Sequence, residues 1–310
     1  MQLRSLGNTG RDVSPVGLGA MPLALAGRPG ESEAIRVIHA AVGAGMTWID
    51  TADVYCLDDG DIGYGERLVA RALRERKGGP GDVMVATKGG LRRPGGRWES
   101  DARPARLKAA CEASLKALGT DSIFLYQLHA PDAKVPWADS VGALADLQKE
   151  GKIRHIGLSN VGVGEIKQAL GIVAIASVQN RCSAIDRRPF VNSVVDLCQN
   201  EKIAFIAHSP VGGHRQQGRT GDHPTLRAVA SRNGASPYEV ALAWLLASSD
   251  VMFVIPGASR VESAESSARA ADLVLSDRDW EDLNKAFPDA SPFLKQVASA
   301  RRKLRQILRF

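Results

Sequence analysis

Two kinds of segment alternate along the chain. Short apolar runs rich in isoleucine and valine predict strands, and longer stretches whose apolar residues repeat every three or four positions predict amphipathic helices. Residues 46–50 read as a strand, and the helix after it carries Leu68, Val69, Ala72 and Leu73 on one face. Residues 82–87 are a second strand, followed by a helix that aligns Leu107, Cys111, Leu115 and Leu118. A third strand at 122–128 precedes a helix that stops at Gly151, a natural C-cap. The alternation continues through 154–158, 175–178, 203–207 and 252–255, with a further strand at 16–18 near the start. Eight strands alternating with helices over about 250 residues predict a closed (β/α)8 barrel of the α/β class.

The competing fold is an open doubly wound sheet, which carries a GxGxxG turn after its first strand. Gly17-Leu-Gly19 lacks the third glycine and opens no helix. Before the barrel, Gly7-Asn-Thr-Gly10 is a turn between two short extended pieces, a predicted hairpin able to close one barrel end. Gly78-Gly-Pro-Gly81 and Arg93-Pro-Gly-Gly-Arg97 are turns too short to separate domains. We therefore expect one domain over 1–310, with the barrel core at 14–275 and a helical extension at 277–310.

Composition narrows the function classes. With 44% hydrophobic residues in 310, the core needs neither disulfides nor metal. The longest apolar runs, such as 240–247, fall far short of the roughly 20 residues of a membrane helix. The start has no signal-peptide core, and Cys56, Cys111, Cys182 and Cys198 show neither CxxC nor metal-ligand spacing. These features predict a reduced cytoplasmic protein with no metal and no membrane partner. Much of the net charge of +6 gathers at Arg301, Arg302, Lys303, Arg305 and Arg309. No zinc-finger or RNA-binding signature accompanies it, so nucleic acid is not expected as a partner. With Phe293, Val297, Leu304, Ile307 and Leu308 the segment reads as an amphipathic basic helix. It could pack under the barrel, join copies into a homo-oligomer or meet an acidic partner.

In such barrels chemistry sits at the C-terminal strand ends. Asp50 and then Tyr55 follow the second run, Lys88 the third, His129 the fourth, Ser159 and Asn160 the fifth, Gln179 the sixth, and His208 and Ser209 the seventh. A polar residue ending a strand is usually a turn or cap; here the set converges. A free phenol, with its pKa near 10, donates a proton poorly at neutral pH. A neighbouring ammonium favours the phenolate, an aspartate holds that lysine, and a histidine orients a carbonyl oxygen.

These residues resemble the aldo-keto reductase superfamily. Trp48-Ile-Asp-Thr-Ala-Asp-Val-Tyr55 is similar to its signature, and Thr87-Lys88, Leu128-His129, Gly157-Leu-Ser-Asn160, Val178-Gln179 and Ile255-Pro-Gly-Ala-Ser259 resemble its other blocks in order. The likeness spans residues 3–275, and the opening segments 4–10 and 13–19 look like bacterial members. It implies Tyr55 as proton donor, tuned by Lys88 and Asp50, with His129 completing a tetrad. It implies a nicotinamide cofactor extended across the mouth, its carboxamide held by Ser159, Asn160 and Gln179. His208, Ser209, Val211, Gly257, Ser259, Arg260, Ser263 and Ser267 would complete the cofactor site, and Met21 and Trp98 would line the substrate pocket. The substrate would be a small carbonyl compound or alcohol.

The chain departs from the pattern in places. His208 stands where an aromatic residue usually stacks on the nicotinamide, and at the ordinary histidine pKa near 6.5 it would change charge near neutrality. Gly257 and Ser263 occupy positions where other members place a lysine and an arginine for the 2′-phosphate. Arg260 is the nearest cation, which implies NADPH rather than NADH. Cys56 replaces a common glycine, and the polar stretch 57–61 should border the substrate entrance. Two other roles stay open from sequence: a sugar or alcohol dehydrogenase working in the oxidative direction, and a regulatory protein that binds cofactor with little turnover.

Overall fold

The computed structural model describes residues 1–79 and 81–288, without the side chains of His214 and Arg215. At its centre eight parallel strands run in the order β3 (Leu18–Gly19), β4 (Trp48–Asp50), β5 (Met84–Gly89), β8 (Ile123–Leu128), β9 (Ile153–Ser159), β10 (Ser177–Arg181), β11 (Ala204–His208) and β12 (Met252–Ile255). Bridges from Val16 to Val254 and from Gly19 to Gly257 join first strand to last and close the barrel. Parallel neighbours need crossovers. α1 (Glu31–Gly43), α2 (Tyr64–Glu75), α3 (Pro104–Leu118), α4 (Trp137–Lys149) and α5 (Val163–Leu170) supply them in the first half. The second half uses α6 (Arg188–Val191), α7 (Val194–Asn200), α8 (Gly213–Gly221), α9 (Pro224–Asn233) and α10 (Pro237–Ser248), with α11 (Val261–Arg269) and α12 (Asp277–Ala286) after β12.

The helix faces match the apolar periodicity. α2 buries Leu68, Val69, Ala72 and Leu73, and α3 buries Leu107, Cys111 and Leu115. Leu118, in the last turn of α3, is only partly covered. Strand ends differ more from expectation. β5 and β10 continue past their apolar runs to include Lys88, Gln179 and Asn180. Pairing is a main-chain property and persists where the side chains turn polar: Lys88 pairs with Gln127, and Ser159 with Gln179.

Two short antiparallel pairs lie outside the barrel: β6 (Leu91–Arg92) with β7 (Glu99–Ser100), and the N-terminal hairpin of β1 (Arg4–Ser5) and β2 (Asp12–Val13). Its Leu6 and Val13 are buried against Trp48, Met84, Leu125 and Phe253 at the N-terminal ends of the strands, so it seals that end. Gly7 lies so close to β10 that an added Cβ would stand 2.2 Å from the Ala176 carbonyl oxygen, and its φ of +55° also favours glycine. After the barrel, α12 docks through Leu283 and through the Arg232–Asp279 ion pair at 2.7 Å. The basic segment read as an amphipathic helix falls within 289–310, outside the described residues.

Candidate active site

Three neighbouring strand ends converge at the open end. β4 finishes on Asp50, and the loop after it returns Tyr55 over the barrel. β5 presents Lys88, and His129 follows β8, its backbone N–H donating to the Gly89 carbonyl at 2.9 Å. Lys88 is wholly buried and Asp50 nearly so. The Lys88 ammonium spends its three donors on Asp50 Oδ1 at 2.5 Å, the Thr51 carbonyl at 2.9 Å and the Tyr55 hydroxyl at 3.2 Å. Asp50 Oδ2 accepts from Gln179 Nε2 at 2.8 Å and from Gln127 Nε2 at 3.1 Å. A buried ion pair survives only when its remaining polar atoms are satisfied in this way. The rings of Tyr55 and His129 meet edge to face, with centroids 5.8 Å apart.

Electrostatics fix the protonation states. Burial pushes the Tyr55 phenol above its ordinary value, and the pull of Lys88 in the other direction is smaller. The lysine thus acts in the expected sense, but the net shift is upward, because taking a phenolate out of water costs more than the cation returns. For Lys88, burial works against the charge, yet the Asp50 carboxylate and the Tyr55 contact carry the ammonium above its ordinary value. His129 is held well below a normal histidine by burial, then by the charge of Lys88, so it is neutral. Its Nδ1 is buried without a partner among the described residues.

The residues assigned to a cofactor lie around the same mouth. Ser159 is buried, and Asn160 stands exposed with φ +59°. The Asn160 amide donates to the His129 carbonyl at 3.0 Å and to Ser159 Oγ at 3.1 Å. His208 ends β11, its ring nitrogens 3.3 Å from Asn160 Oδ1 and 3.2 Å from Ser209 Oγ. Burial, with Lys88 next, brings His208 down to about 4, so the charge change expected near neutrality moves well below it. Ser209 has φ +52°, Val211 is half-buried, and Gly257 and Ser259 are exposed. Arg260 is the exposed N-cap residue of α11, with no side-chain cap bond. Ser263 and Ser267 sit a turn apart on α11, and the Ser267 hydroxyl donates to the Ser263 carbonyl at 2.8 Å. Gln179 differs from the rest: its amide faces down the barrel to Asp50 and Gln127.

The entrance wall is built from loops. Trp98 is 46% exposed and stands edge-on to Tyr55 at 6.5 Å and to His129 at 6.2 Å. The guanidinium of Arg93 stacks on the Trp98 ring at 4.1 Å and donates to the Leu57 carbonyl at 3.1 Å. One side chain therefore links the 91–98 segment to the 57–61 segment. Met21 packs beside Tyr55, Ala52 and Leu91. Cys56 is buried against the Val54 carbonyl, and burial raises its thiol to about 11, which makes it a packing residue.

Sequence reasoning missed Arg93 and Gln127. Gln127 was visible as one amide inside the apolar run 122–128, at a position whose neighbours point outward. Gly157 makes room for it: a Cβ there would stand 2.7 Å from Gln127 Cγ.

A parallel (β/α)8 barrel with its polar cluster at the C-terminal strand ends has the layout of a barrel enzyme. The model of the aldo/keto reductase family matches residues 15–287. An uncharacterized oxidoreductase of Schizosaccharomyces pombe is 35% identical over 271 residues, covering 85% of this chain and 83% of that protein. The holo form of an aldo-keto reductase from Bacillus halodurans superposes with a TM-score of 0.76 at 29% identity, over 92% of this chain and 96% of that one. An aldo-keto reductase from Klebsiella pneumoniae in complex with NADPH gives 0.77 at 25% identity, over 94% and 97% of the two chains. The chain belongs to the aldo/keto reductase family, and it is an oxidoreductase.

Proposed function

We propose that the chain reduces an aldehyde or ketone to an alcohol with NADPH, using Tyr55 as the general acid. The observation that carries this reading is the Lys88 ammonium, locked by Asp50 and placed 3.2 Å from the Tyr55 hydroxyl. When bound, the cofactor supplies hydride to the carbonyl carbon. Tyr55 then gives its proton to the carbonyl oxygen, and Lys88 stabilises the phenolate left behind. Neutral His129 holds the carbonyl oxygen near the phenol. The same residues serve alcohol oxidation in reverse, with Tyr55 as base.

The residues present fit such a cofactor. Ser159 and Asn160 offer donors and acceptors for a carboxamide, and neutral His208 can lie against an oxidised, positive ring without repulsion. Gln179 joins them only if its amide turns up from Asp50. The exposed Arg260 and the uncapped start of α11 suit a phosphate. The NADPH bound by the Klebsiella relative supports the choice. The test is to mix the protein with NADPH and a panel of aldehydes and ketones and follow the reduced-cofactor absorbance. Turnover on at least one supports the enzyme; tight cofactor binding without turnover on any supports a regulatory role instead.

Two variants probe the site further. Arg260→Ala should weaken NADPH by roughly 1.5–3 kcal/mol, the scale of a charge-assisted contact, and leave NADH almost unchanged. Fluorescence titration with both cofactors reads this, and equal losses would place the 2′-phosphate elsewhere. Trp98→Ala should raise KM for aromatic aldehydes by about tenfold, the weight of one aromatic contact, with cofactor Kd constant. An unchanged KM would remove Trp98 from the pocket.

A further inference from the structure

Behind Lys88, between its strand and α2, lies a second group of polar residues that the mechanism above does not use. Asp53, in the loop after β4, and Glu66, on α2, are each 1% exposed. Both are tied to the strand that carries Lys88. Glu66 Oε1 accepts from Thr87 Oγ1 at 2.6 Å, and the Asp53 backbone N–H donates to the Lys88 carbonyl at 3.2 Å. Asp53 Oδ1 accepts from the Val54 N–H at 2.8 Å, whereas Asp53 Oδ2 has no partner among the described residues. Around the pair, Thr51 Oγ1, Arg106 Nε and the Tyr126 hydroxyl are also buried without partners among the described residues. The backbone closes tightly on this region: Cβ atoms at Gly65 and Gly89 would stand 3.0 Å from Thr51 Oγ1 and 2.1 Å from the Tyr126 hydroxyl.

Two buried carboxylates without an ion-pair partner would be costly. Retaining protons avoids the cost. Asp53 is pushed well above its ordinary range by burial and then by Glu66. Burial raises Glu66 to about 7, against the hydrogen bond of Thr87 and the charges of Arg67 and Lys88. The charged and titratable groups facing the pair are Arg67 of α2, Lys88 of β5, Arg106 and Cys111 of α3, Tyr126 of β8, and Tyr55 and Cys56 after β4.

We propose that Asp53 and Glu66 are positioning residues that act as one unit behind Lys88, uncharged in mild acid and adding a negative charge to the rear of the Lys88–Tyr55 pair once a proton leaves. That charge favours the ammonium and disfavours the phenolate. Alcohol oxidation, which needs the phenolate, is thereby pushed to higher pH, and proton donation by Tyr55 becomes harder as the unit ionises. The kinetic part rests on the hydride-transfer reading given above; the protonation of the pair does not.

Glu66→Gln tests it, with Asp53→Asn as the second variant; both keep the shape and the hydrogen-bond acceptor. A carboxyl raised in the folded state weighs on stability once pH passes its unfolded value and does so fully above its folded one. The melting temperature of Glu66→Gln relative to wild type should therefore rise by about 2–4 °C between pH 4.5 and 8. A difference flat with pH in both variants overturns the proton-retaining pair, whatever the enzyme turns over. In kinetics, the pH profile of oxidation should move down by on the order of half a unit to one unit in Glu66→Gln, with KM for the alcohol unchanged. A pH-dependent stability difference with an unmoved profile overturns the link to Lys88. A wild-type chain without turnover counts against hydride transfer alone, and the melting experiment still decides whether the pair keeps its proton.

Discussion

Tyr55→Phe is expected to lower turnover by about 100- to 10,000-fold, the usual contribution of a positioned general acid, while cofactor Kd stays within about twofold of wild type on the same grounds. The phenol is buried beside Lys88 and edge-on to His129, and among the described residues it is the one phenol that hydrogen-bonds that ammonium. The replacement keeps the ring, so the packing with Ala52, Val54 and Leu91 survives. It leaves one Lys88 donor unpaired, at a stability cost of about 1–3 kcal/mol. Single-turnover measurement with saturating NADPH separates the chemical step from binding. Near-wild-type rates in a folded Tyr55→Phe protein would sink the assignment. In wild type the phenol lies above its ordinary value, so its loss should produce no falling limb in the reductive profile below about pH 10.

Lys88→Met is expected to be the most damaging single change to the fold, at about 3–5 kcal/mol, because it strands a buried carboxylate. Asp50 would keep its bonds from Gln127 and Gln179 but lose its cation. Urea unfolding at pH 7 measures the loss, and the double variant Asp50→Asn, Lys88→Met should recover part of it. A loss under about 1 kcal/mol would mean that the pair behaves like an exposed one. The sign with pH follows from the shift. Lys88 is raised in the folded state, so its stabilisation is complete below the unfolded lysine value and fades only as pH rises through the higher folded one. The titration of Lys88 itself should accordingly add no pH dependence to the wild-type advantage through the neutral range.

The barrel was legible because its strands and helices carry different periods: runs such as 252–255 became β12 with the same bounds, and the apolar stripe of α2 is the buried one. Asp50, Tyr55, Lys88 and His129 were legible as polar residues at successive strand ends. What stayed hidden depends on where side chains meet across the barrel. Gln127 and Gln179 come from strands far apart in sequence yet both donate to Asp50. Arg93 lies in a turn of glycines and a proline that reads as a plain connection, and only the fold shows it stacked on Trp98. The lowered state of His208 also belongs to the assembled mouth, since burial and Lys88 both act on it there.

The hairpin at the far end makes the barrel a blind well. With Leu6 and Val13 wedged against Trp48 and Phe253, nothing passes through, and whatever reaches Tyr55 must leave by the way it came. On the proposed reading, the segments 57–61 and 91–98 would then govern release as much as admission. Arg93, stacked on Trp98 and bonded to the Leu57 carbonyl, fastens one to the other, and in enzymes limited by lid motion such a fastening caps the overall rate while leaving the chemical step untouched.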